Sequence, residues 1–91
     1  MLNLDLEGLG TLGNDISVEA GNFKELLTKI NEVNTELEMY WQGPDATKYF
    51  GIVKEQAEEM EKLYQTLVEC SKYINDAKNA YQDALNATMG Q

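Results

Sequence analysis

Enzymatic chemistry needs groups that move protons, attack electrophiles or hold metals, and this chain offers few. It has no histidine and a single cysteine, Cys70. One thiol without an imidazole fits none of the usual zinc spacings, and it cannot close an internal disulfide. Glu58-Glu59 and Glu36-x-Glu38 come nearest to a general acid–base pair, yet such spacing suits solvated helix faces better. There is no glycine-rich phosphate loop and no nucleophile with a matching base. Five tyrosines with Phe23 and Phe50 recur at helical intervals, which points to a core or an interface rather than a ligand cleft. The expectation is a protein that is not an enzyme, with no cofactor and no metal. Its most distinctive local cluster is Trp41-Gln42-Gly43-Pro44, whose residue types shape a chain rather than transform a substrate.

The charge balance narrows the partners. Sixteen acidic residues stand against seven lysines and no arginine, a net charge of −9. Duplex nucleic acid requires a basic face, so it is excluded as a partner. Anionic membrane surfaces are disfavoured for the same reason, and no apolar run nears the ~18–20 residues that span a bilayer. Stable membrane insertion is therefore not expected. The start, Met1-Leu2-Asn3-Leu4-Asp5-Leu6-Glu7, lacks the basic and continuous apolar regions of a conventional secretory signal. Composition alone thus reads as cytoplasmic, or as export without a cleaved signal. Ninety-one residues make at most one domain with a thin core, so long helices or a partner chain must supply stability.

The elements follow from glycine, proline and periodicity. Residues 1–13 carry Gly8, Gly10 and Gly13, each costing a helix ~1 kcal/mol relative to alanine, and read as a loose arm. A long helix is expected from Asn14, a candidate N-cap. Its seam is Ile16, Ala20, Phe23, Leu27, Ile30, Asn34, Leu37 and Trp41, alternating by four and three. Asn34 either sits in that seam and fixes register or turns to its edge. Leu26, Val33 and Tyr40 form a second row beside the seam. The turn falls at 41–44, because proline disfavours helix in the residue before it and suits the first turn of a new one. The second helix repeats the pattern with Ala46, Phe50, Val53, Ala57, Met60, Tyr64, Leu67, Ser71 and Ile74, flanked by Tyr49, Leu63, Cys70, Ala77 and Ala84. Cys70 reads as a small buried apolar residue. The hairpin body is 14–85, and 86–91 is a frayed tail.

The fold class is therefore all-α, an antiparallel two-helix hairpin. Each helix shows a seam plus a flanking row, the wider face of a bundle helix. A lone hairpin would leave Leu26, Val33, Tyr40 and Leu63 wet, which marks a partner site. Pairing with a second hairpin into a four-helix bundle resolves this. The residues expected to meet a partner are Phe23, Leu26, Leu27, Ile30, Val33, Leu37, Tyr40, Phe50, Val53, Met60, Leu63 and Leu67.

Trp41-Gln42-Gly43 between two long amphipathic helices, near mid-chain in an acidic protein of this length, resembles the WXG (Trp-x-Gly) family of early-secreted-antigen-like type VII secretion substrates. The resemblance covers about Asn14 to Leu85. It implies a homodimer or heterodimer with another such hairpin, signal-peptide-independent export by a membrane ATPase, a secreted or surface location after a cytoplasmic stage, and a virulence-associated role as effector or co-secreted targeting partner. The family also carries a Tyr-x-x-x-Asp/Glu export signal after the second helix. Here Tyr81 is followed four places on by Leu85, and Asp83 stands at the wrong spacing. Either the partner supplies the signal or a degenerate tail suffices. Trp41 reads as a plug at the end of the bundle and also as a surface for the export machinery. The rival to secretion is an intracellular helical adaptor or chaperone for a larger toxin with a helical leader.

Overall fold

A computed structural model describes residues 5–89. It contains two helices, α1 (Leu6–Glu38) and α2 (Pro44–Met89), packed as an antiparallel hairpin. The hairpin is a rod of 72 × 17 × 17 Å with a radius of gyration of 20.7 Å. A compact globule of this length would have a radius near 12 Å. The helices have 33 and 46 residues, longer than the sequence suggested.

The seam is the one the four–three spacing indicates. Ala20, Leu27, Ala46 and Ser71 are buried, and Phe23, Asn34, Leu37, Phe50, Val53, Ala57, Met60, Tyr64 and Leu67 are half-buried between the helices. A rod two helices thick can bury little more than one line of side chains from each.

Both ends of α1 differ from the expectation. The helix starts at Leu6, not near Asn14, so residues 6–13 are its first turns rather than a loose arm. Asp5 is the N-cap, its side chain accepting from the Gly8 amide at 2.8 Å. The reason is tertiary. The buried Gly13 accepts through its carbonyl from the Ser71 Oγ at 2.8 Å, and a Cβ on Gly13 would stand 3.1 Å from Ile74 Cγ2. Close contact with α2 outweighs the helical cost of the glycines. Residues 1–4 of the expected arm lie outside the described residues. At the other end α1 stops at Glu38, so Tyr40 and Trp41 belong to the turn. The helix α2 continues through 86–89, which had read as a frayed tail; residues 90–91 of that tail are outside the description.

Between the helices the chain reverses over residues 39–43. The amides of Met39 and Tyr40 close 3.0 Å bonds to the carbonyls of Glu36 and Leu37, and the Trp41 amide reaches the Leu37 carbonyl at 3.1 Å. Gly43 has φ +124°, a conformation that side chains penalise. Its carbonyl then accepts from the Thr47 amide at 3.0 Å, opening α2 with Pro44 at the first position.

Candidate functional site

The hairpin has two unlike sides. In an antiparallel pair, the row flanking the seam on one helix faces its counterpart on the other. On one side that counterpart is charged: Lys24 Nζ lies 2.7 Å from Glu61 Oε2 and 5.1 Å from the Tyr64 ring centroid. The Lys24 hydrogen bond holds the Glu61 carboxyl below its ordinary value; partial desolvation opposes this, while a Gln65 hydrogen bond and the Lys24 charge assist it. On the opposite side the flanking rows are apolar. Val33, Lys29, Ile30 and Asn34 share a shallow groove with Tyr49 across the seam. Further along α2, Thr66, Glu69, Cys70, Tyr73 and Ile74 line another.

The apolar side is open. Leu26 is 55% exposed, Val33 64% and Tyr40 78%, and Leu12 and Leu63 are also exposed. Leu26, Val33 and Leu63, expected to meet a partner, therefore lie exposed in the flanking rows of one side of the free hairpin, and Tyr40 is exposed in the turn. Ile30 stands at the margin of that side. The remaining candidates, Phe23, Leu27, Leu37, Phe50, Val53, Met60 and Leu67, line the seam between the chain's own two helices. Cys70 is exposed on the apolar side, a correction to its reading as buried, because its row flanks the seam rather than filling it. Ile52 and Tyr73 extend the same face and were not singled out from the sequence. Each is three places along from Tyr49 or Cys70, so reading the adjoining row together with the flanking one would have found them.

The turn end holds an aromatic cluster. The Trp41 ring lies 5.2 Å from Tyr49 and 5.9 Å from Phe50, and those two rings are 5.1 Å apart. Edge and tilted contacts of this kind are favourable for aromatic quadrupoles. Trp41 remains 38% exposed, so its indole packs one edge and presents the other. Tyr49 also donates through its hydroxyl to Asn34 Oδ1 at 2.9 Å, while Asn34 Nδ2 donates to the Ile30 carbonyl at 3.1 Å. Asn34 is thus held in the seam, and it ties the polar gap in α1 to one position of α2.

At the far end, α2 runs past the start of α1. Gly13 lies beside Ser71 and Gly10 beside Lys78, α1 begins only four residues further out, and residues 79–88 are exposed throughout. Tyr81 and Leu85 share one helical face there, and Asp83 points away from it. Among the described residues, no helix is long and apolar enough to cross a membrane.

The total accessible surface is 7298 Å², whereas a compact monomer of this mass exposes about 5,400 Å². The difference is well above the roughly 800 Å² that each partner contributes to a standard protein–protein interface. No curated protein and no solved structure matches the chain. A family model does: WXG100, described as proteins of 100 residues with WXG, matches residues 1–84.

Proposed function

The chain belongs to the WXG100 family, small proteins related to type VII secretion, and from that premise we propose that it is exported by the type VII route as one half of a paired helical bundle. The observation that carries this reading is the open apolar face of Leu26, Val33 and Leu63 on a hairpin whose seam is already filled. Such a face is stable in water once a second hairpin covers it. WXG100 proteins commonly form dimers of this kind. The protein works by binding rather than catalysis, a reading that rests on the missing histidine and the lack of an activated nucleophile.

Its role within the pair is that of the chain whose partner carries the export signal. Tyr81 is followed at the fourth place by Leu85 rather than by an acid, which supports a signal supplied in trans. The protein is cytoplasmic before export and extracellular after it. The test is to follow the intact chain in culture medium from cells with and without the export ATPase. It is expected in the medium of the former alone. Retention inside cells that export other substrates would overturn the reading.

A further inference from the structure

Charge is distributed unevenly around the hairpin. The acids beside or within the open apolar face are Asp15, Glu19, Glu36, Asp45, Glu59 and Glu69, all exposed. Of seven lysines, only Lys29 stands there. Lys24 and Lys54 lie on the side of the Glu61 ion pair, Lys78 reaches across the seam to Gly10, Lys48 and Lys72 point outward from α2, and Lys62 pairs with the border acid Glu59 at 3.3 Å. The apolar face is therefore bordered mainly by acids, with Lys29 and the Lys62–Glu59 pair as the exceptions. Two copies joined through it would bring two acidic borders together, and like charges juxtaposed across an interface oppose association. The surface in excess of a compact monomer's is nevertheless ample for the roughly 800 Å² that each partner contributes to a standard interface.

From these observations we infer that the face is built for a different chain, a helical hairpin whose own apolar face is bordered by lysine or arginine, and that it disfavours a second copy of this protein. This rests on the paired-bundle reading above and specifies the chemistry of the partner. The Lys24–Glu61 side carries no comparable apolar row, so the hairpin takes one partner and the assembly closes at two chains.

The experiment supplies such a partner by inverting the border of this chain. One variant carries Asp15→Lys, Glu19→Lys, Glu36→Lys and Glu59→Lys. A control carries Glu25→Lys, Glu32→Lys, Glu55→Lys and Glu58→Lys on the outward sides of the helices. Both shift the net charge from −9 to about −1, so they differ in where the charge lies, and the border variant also removes the Lys62–Glu59 pair. Circular dichroism checks that each is as helical as the parent. Should the fourfold border variant unfold, Glu19→Lys with Glu59→Lys takes its place.

Light scattering at about 50 mM salt should find the parent alone monomeric. It should pair one-to-one with the border variant, at least roughly tenfold more tightly than with the control. That margin should shrink at about 1 M salt. Equal affinity of the parent for itself, for the border variant and for the control would overturn the inference. A parent carrying Leu26→Asp and Val33→Asp separates the two levels of argument. If this parent no longer pairs but unmodified copies associate with each other as tightly as with the border variant, the partner's chemistry alone is refuted. If pairing survives those changes, or no mixture pairs, the docking face itself fails and the paired-bundle reading falls with it.

Discussion

Replacing Gly43 with alanine isolates a backbone effect. Gly43 has φ +124°, and a Cβ built on it meets nothing within 4 Å. The steric contribution of the new methyl against the rest of the molecule is therefore nil. What remains is the penalty for an L-residue at positive φ, about 1–3 kcal/mol. Gly21 provides the opposite case. It lies within α1, is exposed, and a Cβ there also meets nothing within 4 Å. Gly21→Ala should stabilise the hairpin by about 1 kcal/mol through helix propensity. The same chemical change thus has opposite signs at two open positions. Thermal unfolding followed at 222 nm, at one fixed protein concentration, reads both, since each kcal/mol moves Tm by about 4–8 °C in a domain of this size. A synthetic chain with D-alanine at 43 completes the test. The D-residue favours positive φ, so it should match or exceed the glycine protein by up to ~1 kcal/mol. A Gly43→Ala protein as stable as the parent, or a D-alanine protein less stable than the L-alanine one, would refute the conformational account of this glycine.

Further outcomes follow from neighbouring contacts. Leu27 is 4% exposed and Leu26 is open; under monomeric conditions Leu27→Ala should cost about 2–4 kcal/mol in urea unfolding, and Leu26→Ala under about 0.5 kcal/mol. Tyr49→Phe removes the hydroxyl donor to Asn34 but keeps the ring beside Trp41; chemical denaturation should show a loss of about 0.5–1.5 kcal/mol. The Glu61 carboxyl is held below its ordinary value of 4.5 by Lys24. Its stabilising contribution is therefore fully present above that pH and fades as pH falls through the lowered value. Midpoints measured from pH 7 to pH 2 should decline less steeply for Glu61→Gln than for the parent.

The seam was legible in the sequence because a hairpin two helices thick offers each side chain few alternatives. A residue on the four–three spacing faces the other helix, and one off it faces solvent. That logic located Leu27, Phe50 and Met60 in the seam and left Leu26, Val33 and Leu63 outside it. It failed at the start of α1. Gly8, Gly10 and Gly13 discourage helix when read locally, and what overrides them is a residue 58 positions away, Ser71. It also could not say which lysine meets which glutamate. Lys24 and Glu61 are 37 residues apart, and their meeting depends on the length of the turn. Cys70 is exposed because it stands in the flanking row with Leu63, and the small, apolar character of a thiol does not by itself bury it. The seam and this row share a helix flank, but in a free hairpin only one of them finds cover.

The overhang of α2 has a mechanical consequence. The last turns of α2 run past the start of α1, so tension applied at the C-terminal end loads the outermost contacts of the seam first. Each layer of the rod touches only the layers next to it, as in a solenoid. Peeling therefore advances from Lys78 and Gly10 toward the turn, one layer at a time. The chain yields to a pull from this end as a zip rather than as a block, with the Trp41 aromatic cluster as the last contact to part.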